Sequence, residues 1–244
     1  MKASIIIITY NHEQWIADAI DGALMQVADF DSEIVIGEDC STDGTAEIVQ
    51  QYQRNHPDKI RVVTSSENVG GSRNFARTLD DCRGEFIAYI DGDDFWNDQN
   101  KLADQVAFLE SHADHSASVT QASIEFYGRT DNRLKKHYAL KKESYTADEV
   151  LASPSFAVTS SLVFRRANLS PMPHWFHDIA WGDRAVKGML AKHGKFHCLQ
   201  RKAVTYRCNN WGAWQKLREQ GNAYIKQARE TIDSHLATYQ PITA

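Results

Sequence analysis

The sequence has no run of eighteen apolar residues, so no stretch of it has the composition of a bilayer-spanning helix. Its opening residues lack the basic, apolar and small-residue order of a secretion signal, and Ile5–Ile8 is too short for one. Cysteine is scarce. Cys40, Cys82, Cys198 and Cys208 show no metal-ligand spacing, and reduced thiols in a cytoplasmic chain are the expectation. His174, His177 and His193 show no ligand spacing either. There is no internal repeat and no low-complexity segment. A glycine- and lysine-rich phosphate loop is also missing. Thr9-Tyr10-Asn11-His12-Glu13 stands where a nucleotidyltransferase on an α/β sheet would carry one. At 244 residues the chain suffices for one large domain, or a domain with an extension, whose core needs no staples.

What the sequence does have is concentrated between residues 85 and 96. There Glu85-Phe-Ile-Ala-Tyr-Ile runs into Asp91-Gly92-Asp93-Asp94-Phe95-Trp96. Phe86–Ile90 has the length and composition of a buried strand. Its carboxyl end is where open α/β sheets place their ligands. Three acids within four residues repel one another. A solvated surface turn could carry them. An apolar strand aiming them into a crevice favours a hard divalent cation with oxygen ligands, which relieves the repulsion. Gly92 lets the backbone come close to a ligand.

Charge is unevenly distributed. Residues 1–110 carry 21 acidic and 8 basic side chains, a balance of −13, and residues 111–244 carry 11 and 19, a balance of +8. An acidic half that holds a metal suits a cation-bridged ligand. A basic half suits an anionic acceptor or an anionic membrane surface. Compositional drift between solvated faces explains the asymmetry equally well.

In chain order, Ala3–Thr9 reads as a doubly buried parallel strand. From a turn at Asn11 or His12, the positions Trp15, Ile16, Ala19, Ile20, Ala23, Leu24 and Val27 recur with helical period. Glu33–Gly37 predicts a strand ending in Glu38-Asp39. Thr42 or Asp43 then caps a helix over Thr45–Arg54. Ile60–Thr64 is a third strand, and Glu67–Asn74 opens a helix reaching about Cys82. After the central strand, Lys101, Leu102, Val106 and Leu109 mark another helix. This β-α alternation implies a parallel sheet with helices on both faces. The polar residues Thr9-Tyr10-Asn11, Glu38-Asp39 and Asp91–Asp94 would emerge together on one edge.

The second half is less regular. Ala117–Tyr127 predicts a strand. Residues 128–143, with six basic residues and two acids, read as an exposed loop or hairpin. Thr146–Ala152 carries a capping box, Thr146 with Glu149. Ser160–Phe164 is a strand, and Trp181-Gly182-Asp183 precedes a helix over Arg184–His193 that Gly194 ends. Phe196–Leu199 and Ala203–Arg207 are short strands. A polar helix from about Trp214 to Ala237 carries Leu217, Tyr224, Ile225, Ala228, Ile232 and Leu236 on one apolar face. Trp96, Trp175, Trp181, Trp211 and Trp214 suit core or lid packing, with sugar stacking as the other use.

Six motifs stand in order: Ile-Ile-Thr9-Tyr10-Asn11; Glu38-Asp39-Cys-Ser-Thr-Asp-Gly-Thr45; Asn68-Val-Gly-Gly-Ser-Arg73-Asn74; Asp91-Gly-Asp93-Asp94-Phe-Trp; Gly182-Asp183; and Tyr206-Arg207. In these, over about residues 3–212, the chain resembles family 2 glycosyltransferases of the GT-A fold. The resemblance implies a Rossmann-like, mostly parallel sheet flanked by helices; the tail after 214 lies outside it, as a C-terminal helical extension. It divides the chain into a nucleotide-sugar-binding half (1–110), an acceptor-binding half of the same domain (111–212) and a helical tail (213–244). It further implies an inverting transfer from a nucleotide-sugar donor, UDP- or dTDP-linked, with Mn²⁺ or Mg²⁺ as the divalent cation. A saccharide or lipid-linked acceptor follows, in surface polysaccharide or lipopolysaccharide synthesis. No nucleic acid is implied.

Carried over by position, Thr9 and Tyr10 border the nucleobase, with Asn11 and Asn68 beside the nucleotide. Asp39 accepts from a base N–H, and Arg73 lies by the base or diphosphate. Asp91 and Gly92 face the ribose or the metal's water shell. Asp93 binds the metal, with Asp91 as the second candidate ligand, and Asp94 orients its neighbours. Asp183 matches the catalytic base, with an N-cap as its bland alternative and Asp178 as a reserve. Two positions depart from the family pattern. Glu38 stands where Asp is common, and Cys208-Asn209-Asn210 stands where a histidine often follows Tyr206-Arg207. The expected setting is cytoplasmic, with peripheral contact to the inner membrane face through the basic half, and a tail that supports a homodimer or docking. The alternative is a non-catalytic sugar-nucleotide-binding accessory protein.

Overall fold

The structure is a computed structural model in which residues 1–127, 140–153, 156–208 and 219–241 are described. Its first half alternates as the periodicity predicts. Strand β1 (Ala3–Thr9) is followed by α1 (Ile16–Leu24), β2 (Ser32–Glu38), α2 (Thr45–Asn55) and β3 (Ile60–Thr64). Then come α3 (Gly71–Asp81), β4 (Phe86–Asp91), a short β5 (Phe95–Trp96) and α4 (Lys101–Ser111). The second half contains β6 (His115–Phe126), β7 (Ser144–Tyr145), α5 (Ala147–Ala152) and β8 (Val163–Arg165). These lead to α6 (Gly182–Ala191), β9 (Lys195–Cys208) and α7 (Asn222–Thr238).

One sheet joins the described strands in the order β3-β2-β1-β4-β8-β6-β9-β5, with β7 also paired to β9. β1 pairs in parallel with β2 and β4, and β2 with β3. The antiparallel β8 joins this parallel block to the paired β6 and β9. The fold is thus mixed α/β with a mostly parallel central sheet between helices. Alternation along β1 sends Ile6 and Ile8 to one core and Ile5 and Ile7 to the other. With both faces covered, the strand reads as a continuous aliphatic run.

Four expectations shift. Helix α1 begins at Ile16, after a turn in which His12 O accepts from the Trp15 and Ile16 amides, and Val27 lies beyond its end, 58% exposed. Ser160 and Ser161 belong to a 3-10 turn (Thr159–Ser161), which leaves β8 three residues long. Helix α6 starts two residues early and ends at Ala191. Finally, the two strands read around residues 196–207 are one. Thr120 pairs with Leu199 and Gln121 with Lys202, so Gln200 and Arg201 form a bulge that takes up the polar interruption.

Helix α5 carries the expected capping box, Thr146 with Glu149. For α2 the cap is Gly44, and Asp43 Oδ1 instead accepts from the Thr45 amide at 3.0 Å. The loop expected at 128–143 lies outside the described residues up to 139, and the tail positions Trp211, Trp214 and Leu217 lie outside them too.

Part of the apolar face of α7 packs within the chain, while Tyr224 on the same face is 39% exposed. Ile232 and Leu236 are 1% and 4% exposed and lie in the same core cluster as Ala185 and Met189 of α6. Gly188 permits the approach, because a Cβ there would come within 2.3 Å of Leu236 Cδ1. Arg184 donates to Asp233 Oδ1 from Nε (3.1 Å) and Nη2 (2.6 Å), and His235 stacks on Trp175 at 4.7 Å. Among the described residues, no helix is long and apolar enough to cross a membrane.

Candidate active site at the carboxyl edge of the parallel strands

Register brings the first site residues together. Thr9 lies opposite Glu38, and Ile8 opposite Asp91. The ladder then runs on into the loops, since the Asp39 amide donates to Thr9 O (3.1 Å) and the Gly92 amide to Ile8 O (2.8 Å). Asn11 and Cys40 both adopt positive φ (57° and 60°), turning the chain sharply after each strand. Asn11 ties the two loops: its Oδ1 accepts from the Thr42 amide at 2.8 Å, and its amide donates to Ser41 Oγ at 3.0 Å. Gly92 is required by its neighbours. A Cβ would lie 2.7 Å from Thr9 Oγ1 and 2.8 Å from His12 Nδ1.

Asp39 is buried and organises the next loop. Its carboxylate accepts from Asn68 Nδ2 (3.0 Å) and from the Val69 and Gly70 amides (3.0 and 2.9 Å), with Arg77 Nη2 3.6 Å away. A carboxylate offers about four acceptor directions. Asn68, predicted beside the nucleotide, and Asp39 are therefore one unit. Arg73 takes a different place from the expected one at base or diphosphate. It donates to Asp178 Oδ1 (2.7 Å) and to His177 O (3.1 Å), clamping α3 to the 3-10 segment His174–Asp178. Asp178, the reserve base, is engaged by this pair.

The acids after β4 divide by environment. Asp94 is fully buried. It accepts from Ser160 Oγ and from the Arg207 amide (2.9 Å), and burial with the neighbouring acids Asp93 and Asp91 holds its carboxyl well above the usual range. Asp91 accepts from Tyr89 Oη at 2.6 Å, and burial, then the charge of Asp93, push it up to about 7. Arg207, itself buried, donates to Asp93 O (3.5 Å) and to Asp18, between the rings of Trp15 and Phe95.

Asp183 reaches this edge from the first turn of α6. The helix is capped at Trp181, so Asp183 is not its N-cap residue. Its charge contributes to raising Asp91, while that of Lys187 lowers it, so both lie near Asp91. Asp183 Oδ2 accepts from Lys187 Nζ (3.3 Å) and Thr159 Oγ1 (3.4 Å). The next residue, Ser160, accepts from the Asp91 amide (3.0 Å), while its carbonyl accepts from Trp96 Nε1 (2.7 Å). Trp96 is thus structural. Thr159, Ser160, Lys187 and His12 went unread in the sequence. Only Lys187 left a signal, four residues after Asp183 on one helix.

The donor set suits a hard divalent ion. Asp93 and Asp91 offer carboxylate oxygens. No group of three or more His, Cys, Asp or Glu residues able to hold an ion exists among the described residues. Two carboxylates completed by a substrate's phosphates match the way Mg²⁺ is commonly held.

The model of glycosyl transferase family 2 matches residues 4–170. The chain belongs to this family. An uncharacterized protein of Mycobacterium tuberculosis is 30% identical over 220 residues, covering 86% of this chain and 60% of the relative's length. TarS of S. aureus, residues 1–349 in complex with UDP-GlcNAc, superposes with a TM-score of 0.69 at 19% identity over 97% of this chain and 71% of that one. The mannosyltransferase PcManGT of Pyrobaculum calidifontis, with GDP-Man and Mn²⁺, gives 0.63 at 19% identity, covering 97% and 70%. At those identities the two structures speak for the fold.

Proposed function

We propose that this chain is an inverting glycosyltransferase that moves a sugar from a nucleotide donor, a UDP- or dTDP-sugar first, to a hydroxyl of a saccharide or lipid-linked acceptor. The observation that carries this reading is the meeting of two independent acidic elements. Asp91 and Asp93 come from the end of a parallel strand, and Asp183 comes from a helix of the other half, braced together through Thr159 and Ser160. Family membership supports it, as do UDP-GlcNAc in TarS and GDP-Man with Mn²⁺ in PcManGT.

In the proposed reaction the acceptor oxygen bonds to the anomeric carbon as the bond from that carbon to the phosphate oxygen breaks. The electron pair leaves with the nucleoside diphosphate, and the acceptor's proton passes to Asp183. General-base help of this kind is worth about 10²–10⁴ in rate. A divalent ion held by Asp93 and Asp91 would supply neutralising charge for the diphosphate. Asp39, Asn68 and the Val69–Gly70 amides form the wall for the base, and a base N–H reaching Asp39 exchanges with one of its present donors.

Thermal unfolding with UDP, dTDP and GDP, with and without Mn²⁺, tests the donor site, because a ligand of the native state raises Tm. The expected result is a Mn²⁺-dependent rise with UDP or dTDP that Asp93→Ala abolishes. A rise with GDP alone would correct the base. No rise with any nucleotide would overturn the reading.

A further inference from the structure

Lysine is seldom fully buried unless paired. Lys187 is 4% exposed, and its Nζ reaches three oxygens: Asp183 Oδ2 (3.3 Å), Ala157 O (3.3 Å) and Thr159 Oγ1 (3.4 Å). An ammonium has three protons, so this one is fully committed. Two features set the arrangement apart from an ordinary helix ion pair. First, both bonds to Asp183 end on Oδ2. One oxygen is held and the other, Oδ1, accepts no hydrogen bond among the described residues, and the side chain is 37% exposed. Second, Ala157 holds φ at 54°, a left-handed conformation that a residue with a Cβ disfavours. Such a backbone persists where its surroundings over-determine it. Its carbonyl is one of the three oxygens Lys187 holds, and the turn it opens carries Thr159 and Ser160.

We propose that Lys187 is a positioning residue for glycosyl transfer. It presents Asp183 Oδ1 to the acceptor hydroxyl by holding Oδ2, and it pins the turn at residues 157–160 that sets this base against the donor-side acids. The inference rests on Asp183 being the proton acceptor. The linkage is continuous: Lys187 binds Asp183, Thr159 and Ala157, and Ser160 binds the Asp91 amide and the Asp94 carboxylate. The role requires no direct contact between Lys187 and either substrate.

The test compares Lys187→Met, Thr159→Val, Asp183→Asn and the Lys187→Met/Asp183→Asn double variant in the full chain. Turnover is read as UDP release from UDP-GlcNAc with Mn²⁺, with water in the acceptor's place, and the Mn²⁺-dependent UDP rise in Tm reports an intact donor site. Lys187→Met is expected to lower kcat at least tenfold, with the donor KM and the UDP rise within twofold of the parent's. The double variant is expected to lose no more than Asp183→Asn alone, because both changes disable one unit. Thr159→Val is expected to lower kcat less, in the same direction, and it decides the matter if Lys187→Met does not fold. Parental kcat in the Lys187 or Thr159 variant overturns the positioning role and leaves the functional reading standing. Losses that multiply in the double variant also overturn it. A parent with neither turnover nor a UDP rise overturns the functional reading, and the role of Lys187 with it.

Discussion

In the amino-terminal half, site residues sit where strands stop. Thr9, Glu38 and Asp91 are the last residues of β1, β2 and β4, and register alone makes them neighbours. In the carboxyl half nothing so regular delivers the partners. Ser160 lies in a 3-10 turn, Asp183 in the first turn of a helix, and Arg207 near the end of a long bulged strand. One half positions chemistry by repeating a unit. The other does so by contacts between residues far apart in the chain, such as Ser160 with Asp94 and Arg207 with Asp18. A parallel βαβ unit fixes the strand's carboxyl end as the ligand edge whatever the loop sequence. Irregular turns have no such rule, and each must be held by its own hydrogen bonds.

The division of labour can be broken from either side. The largest expected effect comes from Asp183→Asn. Turnover should fall by about 10²–10⁴ while the Mn²⁺-dependent UDP rise in Tm is kept, the reverse of Asp93→Ala, which should lose the rise as well. If Asp183→Asn also loses the rise, the two halves do not act separately. Next is Ser160→Ala, which removes the brace between them. The Asp91 amide and the Asp94 carboxylate both lose a partner, and urea unfolding should show a loss of about 1–3 kcal/mol. A change within error would mean that Ser160 does not join the halves.

The last test is in pH. Asp91 is raised from 3.8 to about 7, and Asp94 is raised too, so between these values the native state keeps protons that the unfolded chain has lost. Stability without metal must then fall as pH rises from about 4 to about 7. Metal ligands must be deprotonated, so the Mn²⁺-dependent rise in Tm should grow between pH 6 and pH 8. Asp91→Asn should weaken both trends. A metal-free Tm that climbs through this range would show that Asp91 is ionised in the cold, folded protein.

Much of the amino-terminal half was legible because its signals are local. The aliphatic runs Ala3–Thr9 and Phe86–Ile90 fall within one residue of the observed strands, and the acids follow directly. Asp39 shows where local reading stops. Its position after β2 was plain, but its commitment to Asn68, Val69 and Gly70 depends on a loop some thirty residues on. Arg73 looked like a phosphate ligand beside two glycines, and in the fold it faces Asp178, over a hundred residues away. The tail's apolar stripe was visible as a stripe, while its occupant, α6, was not.

By itself the sequence determined the alternation of elements, the parallel sheet and the edge on which its polar loops converge. These follow from hydrophobic period and chain connectivity, which are properties of neighbouring residues. The tertiary structure alone decided that Lys187 holds one oxygen of Asp183, that Ser160 joins the Asp91 amide and the Asp94 carboxylate to the other half, and that the final helix closes over α6. Those outcomes depend on which distant groups are brought within about 3 Å in a low-dielectric interior, where an unpaired charge or amide is costly and a paired one fixes the geometry.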